Sequence, residues 1–186
     1  MSKIVSVSGA VPLSLETTKA HLRVSGSDED TLIQMYLDAA LAIVEEHLWR
    51  KLQLCEVEEV FSLLKNRIDV SYPINSITSI KYFDESEVEQ TLTIADYYEV
   101  YDNAKSKNSI YKVGTLETPS VWLDKAFPVE VTYETGYADG TVPKPILNAM
   151  LLLVGEMYEN REDHEYKTTI RKASQLAINP YRLKGY

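Results

Sequence analysis

The stretch VPKPILNAMLLLVGEMYENR, residues 142–161, decides the fold. Pro143 and Pro145 suit the first turn of a helix, where a missing N–H leaves no bond unmade. Behind them Ile146, Met150, Leu153 and Met157 form one stripe at helical spacing, and Leu147, Leu151, Val154 and Tyr158 form a second beside it. Each such side chain is worth roughly 1.5 to 3 kcal/mol when buried, against a total domain stability of about 5 to 15 kcal/mol. Neither stripe can remain in water, so this helix requires cover on two sides.

A partner of the same character lies near the N-terminus. Over residues 30–49, Ile33, Leu37, Ala40, Val44 and His47 or Leu48 share one face, while Leu32, Tyr36, Ala39 and Ile43 extend the apolar surface beside it. Ala39, Ala40 and Ala42 permit close approach of another helix, and Arg50 and Lys51 follow at the C-terminal end, where cations are favourable. A shorter helix precedes it, entered at Ser14 as cap with Leu13 as hydrophobic staple and ending near Arg23. Ser27 and Asp30 have the spacing of an S-x-x-D capping box for the second helix. Asp28, Glu29 and Asp30 lack the spaced ligands and glycine of a calcium loop, so they are read as helix-start residues.

From Leu52 the period changes to alternation: Cys55, Val57, Glu59, Phe61 and Leu63 fall on one side of a strand. Shorter strand patterns follow at residues 68–72, 77–83, 91–94, 97–101, 109–113 and 129–135, separated by polar turns, with Pro73 stopping one ladder. Eight of the thirteen tyrosines lie between Tyr72 and Tyr137, where ordinary sheet packing is the favoured reading and an interface the alternative. After the long helix a polar segment leads to one more short helical pattern at Ile170, Ala173 and Ala177, ended by Asn179 and Pro180. The expected fold class is α+β, with N- and C-terminal helices packed as a small bundle with an inserted antiparallel β-sheet or small barrel. Residues 1–51 are the N-terminal helices, 52–136 the inserted β subdomain, and 137–186 the C-terminal helices and tail that complete the bundle.

The totals narrow the function. With 186 residues, 45% hydrophobic and 25% charged, the chain has material for a real core, which excludes disorder throughout. No apolar run approaches the roughly 20 residues needed to cross a bilayer, so no membrane partner is expected. The lone Cys55 sits in a strand pattern and is read as a buried structural thiol. A net charge of −9 disfavours a tight grip on nucleic acid. The charge is uneven: residues 161–186 hold six basic and three acidic side chains, which leaves +3 there and −12 over residues 1–160. A basic tail on an acidic body is compatible with head-to-tail self-association, as it is with a solvated tail.

Catalytic signatures are missing. The histidines His21, His47 and His164 are scattered, and neither a zinc-protease helix, a nucleophile elbow, a Walker loop nor a dinucleotide fingerprint occurs. Glu45, Glu46 and His47, with Glu156 and Glu159, lack the Glu-x-x-His spacing of a di-iron bundle. No catalytic residue, metal ligand or cofactor is assigned, and no enzymatic activity is expected.

Several segments taken in order resemble one family, the head-to-tail connector or adaptor proteins of long-tailed double-stranded DNA bacteriophages and prophages. They are PLSLETTKAHLRV and DEDTLIQMYLDAALAIVEEHLWRKL near the N-terminus, YPINSITSIKYFD and ADYYEV in the β segment, VTYETGY leading into VPKPILNAMLLLVGEMYENRE, and NPYR near the end. The resemblance implies a structural virion protein that forms a ring of about twelve copies on the portal, a closed cyclic assembly. It implies contact with the portal and with the next neck or tail-completion protein, and an axial channel through which DNA passes without sequence-specific binding. The location implied is the virion neck, after assembly in the host bacterial cytoplasm. The β segment is longer than helix-dominated members would need, and the polar loop at residues 103–109 is a candidate for contacts particular to this chain's own tail or portal. Arg50, Tyr158 and Arg161 match positions that recur in the pattern, with helix capping and ion pairs to Glu45, Glu46 or Glu159 as the local alternative. With Tyr36 and the tail residues Tyr181 and Arg182, they make up the expected interface set. The alternatives are a small metal-dependent or hydrolytic enzyme with a site built from scattered carboxylates, and a β-rich binding module.

Overall fold

The computed structural model describes residues 2–102, 107–113, 119–160 and 172–183. Part of the polar loop singled out above, residues 103–106, and Arg161 lie outside the described residues. The chain divides into two compact units, a helical one from residues 10–52 and 137–182, and a β one from residues 1–9, 53–136 and 183–186.

In the helical unit, α1 (Leu15–Leu22) begins as its sequence dictates: the Ser14 hydroxyl accepts from the Thr17 N–H at 3.1 Å, and Leu13 is buried in the core. α2 (Asp30–Leu48) buries Ile33, Leu37, Ala40, Val44 and Leu48, with Tyr36 and Ile43 packed half-buried at the margin. Its start differs from expectation, because no side-chain capping box forms. Glu29 takes the cap position, and the Asp30 carboxylate turns instead to the Lys19 ammonium, an ion pair that ties α1 to α2 and outweighs a local cap. α2 ends at Trp49, which adopts the left-handed conformation at φ 56 so that its N–H bonds back to the carbonyls of Glu45 and Glu46.

α3 (Lys144–Glu159) buries Ile146, Ala149, Met150, Leu153 and Val154 against α2. Both of the stripes read from its sequence are used within the unit: Leu147, Leu151 and Met157 also pack, half-buried, on the same core. α4 (Lys172–Ile178) follows and adds Ile178, fully buried, before a short 3₁₀ turn at Asn179–Tyr181. Among the described residues no helix is long and apolar enough to cross a membrane.

The β unit has two antiparallel sheets over a common core. One holds β1 (Ser2–Val7), β2 (Cys55–Phe61), β8 (Val129–Thr135), β4 (Ser76–Phe83) and β5 (Glu89–Thr91) in that spatial order. The other holds β3 (Arg67–Val70), β7 (Lys107–Lys112) and β6 (Tyr97–Asp102). β2 and β8 alternate buried and half-buried residues, so the period-2 reading of the sequence holds there. Cys55 is buried as expected. Two elements differ. Ser2–Val7 is a strand where no strand was expected, and at residues 91–94 the strand ends at Thr91, after which Ile94–Asp96 form a 3₁₀ turn.

Candidate assembly surfaces

Of the residues singled out for contacts, several are engaged within the helical unit. The Arg50 Nη1 donates to the Tyr137 hydroxyl at 2.9 Å, with the guanidinium 5.9 Å from the ring centroid. The local carboxylate alternative is not taken up by Arg50: Glu45 accepts from Lys51 at 2.7 Å and from the Leu52 N–H at 2.8 Å. The Tyr158 hydroxyl donates to the Glu29 carboxylate. Since Arg50 and Tyr137 flank the end of α2 and the start of α3, while Glu29 and Tyr158 flank the other two ends, the antiparallel pair is tied by a polar contact at each extremity. The His47 ring and the Asn179 side chain, 3.2 Å apart, add a tie to the segment after α4.

Tyr36 and Tyr181 are half-buried against the helical core, whereas Arg182 is exposed. Sequence reasoning missed Glu29, Tyr137 and Asn179 as partners, because no local pattern links residues 87 to 132 positions apart. One polar atom in this group lacks a partner: Arg50 Nε is buried without a hydrogen bond.

Exposed apolar side chains mark the remaining surface. On α2, Met35 and Ala42 face outward at seven-residue spacing, with Met35 62% exposed, and Trp49 at the helix cap is exposed as well. In the β unit, Leu123 is 78% exposed on the segment before β8, and the edge strand β1 exposes Ile4, Val5 and Val7. A shallow depression of about 460 Å³ beside α1 has Lys19 at its margin, but that ammonium is bonded to Asp30 and to the Gly26 carbonyl. Among the described residues no group of three or more His, Cys, Asp or Glu side chains could hold a metal ion.

Inside the β core sits one carboxylate. Glu59, 3% exposed on β2, accepts from the Tyr133 hydroxyl at 2.6 Å and from the Ser71 N–H at 3.0 Å. Burial, and next the negative charge of Glu59, drive the Tyr133 phenol far above its ordinary pKa. The tyrosine is thereby held protonated as a donor, which joins β2, β8 and the chain after β3 into one polar knot inside an apolar core.

Residues 12–113 match the family model described as phage gp6-like head-tail connector protein. The chain belongs to this family of head-tail connectors. This connector's role is accordingly structural, not enzymatic. Its fold extends the match over the whole chain. A solved structure of the neck of an empty GTA particle, computed with C6 symmetry, is similar at 21% identity with a TM-score of 0.78, covering 100% of this connector and 97% of that chain. The virion of a native gene transfer agent particle gives 20% identity and a TM-score of 0.78 over the same shares. The neck of a native GTA particle, computed with C12 symmetry, gives 20% identity and a TM-score of 0.71, again over the same shares. No curated protein matches the sequence. The connector thus shares its α+β fold with proteins of phage-like particle necks.

Proposed function

We propose that this connector assembles as a closed ring of subunits, about twelve by analogy with the similar neck computed with C12 symmetry, seated on the portal of a phage or prophage particle. The ring joins the DNA-filled head to the next neck or tail-completion protein and lines the passage for DNA. The location is the virion neck, reached after assembly in the host bacterial cytoplasm. The observation that carries this reading is the agreement of the entire chain, both units included, with chains from necks computed with C6 and C12 symmetry. The net charge of −9 supports it, since an acidic wall lets a polyanion slide without gripping it.

Within the ring, the exposed Arg182, together with the other basic residues of the C-terminal sequence, Arg161 among them, would join the acidic surface of a neighbour. Tyr36 contributes only at the margin of the α2 face. Arg50 and Tyr158 support the same surface indirectly by fixing the ends of α2 and α3.

Electron microscopy of the purified chain mixed with portal-bearing, DNA-filled, tailless heads tests the proposal. Density at a single vertex, in one ring per particle, is the expected result. Heads that stay bare at every protein concentration and salt would overturn it.

A further inference from the structure

Most edge strands in soluble proteins are blunted by charge, proline or burial, because an open edge presents unpaired N–H and C=O groups to any extended chain. β1 has little of this protection: one lysine, and one register irregularity between Ile4 and Ser6. Its sequence SKIVSV holds a single charged side chain, Lys3, and no proline, and its three large residues are β-branched. Among the described residues it pairs only with β2. All six residues are exposed, with Ile4 at 43%, Val5 at 48% and Val7 at 54%. Six residues make an open edge roughly 20 Å long.

The opposite edge of the same sheet is of another kind. β5 lies there, entered by a turn that carries Asp84, Glu85 and Glu87, with Glu89 on the strand itself. One edge is apolar with a lysine, and the other is acidic. Four successive antiparallel pairings separate β1 from β5, so the two edge strands run in the same direction. A closed ring requires a heterologous contact, one patch of a subunit meeting a different patch of the next. The two edges of one sheet form such a complementary pair, and a rotation small enough to build a many-membered ring preserves strand direction across the joint.

We propose that the open edge of β1 is a seam between subunits, which takes up the acidic β5 edge of a second copy of this chain as a parallel strand addition. The proposal rests on the connector reading for the ring, and it names the surface on which the ring closes. Backbone hydrogen bonds supply the attraction, Ile4, Val5 and Val7 are covered by the neighbour, and Lys3 meets the carboxylates of Glu85 and Glu87, since Asp84 and Glu89 are already engaged by Gln90 and Lys81.

The test uses the full chain, its double variant Val5→Lys/Val7→Lys, and two readouts: sedimentation and backbone amide exchange at residues 2–7. Both substituted side chains are exposed, so the variant is expected to keep the wild-type melting temperature and circular dichroism. In assemblies, whether formed free in solution or on portal-bearing heads, the β1 amides of the wild type should exchange at least tenfold more slowly than in the monomer. The variant should fail to close rings. Mixed with wild type it should also shorten the assemblies, because its intact β5 edge still docks and then ends the chain.

Wild-type rings whose β1 amides exchange as fast as in the monomer would overturn the seam while leaving the connector reading intact. A double variant that forms rings normally would do the same, as would wild-type assembly that stops at a dimer untouched by added variant, the signature of β1 meeting β1. A wild type that neither self-associates nor decorates heads would overturn both readings.

Discussion

Glu59 is the residue whose environment departs most from its chemistry. A carboxylate inside an apolar core survives only if its oxygens are occupied, and here Tyr133 and the Ser71 N–H occupy one of them. Glu59→Ala would orphan the buried Tyr133 hydroxyl, at a cost of about 1 to 3 kcal/mol, and the part-buried Ser71 N–H besides, whereas Glu59→Gln keeps an acceptor and should cost less; urea unfolding of the two variants measures the difference. Tyr133 makes a second test possible through pH. Its phenol is raised in the folded protein from an ordinary value of 10.0. Its contribution to stability is therefore complete below about pH 10 and is lost as the pH climbs beyond it, because the unfolded chain ionises first. Thermal melts between pH 8 and 11 should show Tyr133→Phe losing less stability across that range than the wild type. A parallel decline in both proteins would exclude the linkage.

At the scale of elements, the paired helices depend on their tied ends. Tyr158→Phe removes the donor to Glu29 and should cost about 1 kcal/mol, read as a lower melting temperature with unchanged helix content. The turn out of β8 is less forgiving. Gly136 has φ 103, and an added Cβ would stand 2.0 Å from the Gln53 carbonyl oxygen. Gly136→Ala is expected to lose at least about 1 to 3 kcal/mol from the backbone conformation alone, with poor soluble yield as the practical sign. The helices were legible in sequence because apolar residues repeat at a period that no strand shares, and burial enforces that period over four or five turns. β2 and β8 were legible for the matching reason at period two. β1 was not, since alternation is a record of one face being buried, and a strand exposed on both faces leaves none. The capping box at Ser27 and Asp30 failed on competition: a lysine one helix away offers the carboxylate a full charge in place of a backbone N–H. The ties Arg50 to Tyr137 and Glu29 to Tyr158 belong to the packed pair, and no window of sequence contains them.

For the whole molecule, the helical unit is formed by two chain segments that meet where the β unit departs and returns. The Arg50–Tyr137 hydrogen bond holds those two points close to each other. We propose that the β segment read from the sequence at residues 52–136, less Leu52, which packs in the helical core, acts as an inserted subdomain, so that residues 10–52 joined to 137–182 by a short Gly-Ser linker would remain a folded helical protein. Cooperative thermal unfolding monitored at 222 nm, a wavelength on the order of the helix peptide band, is the expected behaviour of this shortened chain. A featureless, non-cooperative loss of ellipticity would show that the helices need the β unit to fold.

The strand order also sets a clock on synthesis. β8 lies between β2 and β4 in the sheet, yet it is the last of the strands to leave the ribosome. Until residue 135 has emerged, β2 and β4 have no common neighbour, and β1 has only β2 to pair with. The apolar face of α2 waits longer still, for α3 at residues 144–159. Neither core can close on a nascent chain that has delivered only its first two-thirds. A chain truncated before β8 therefore has no finished five-stranded sheet.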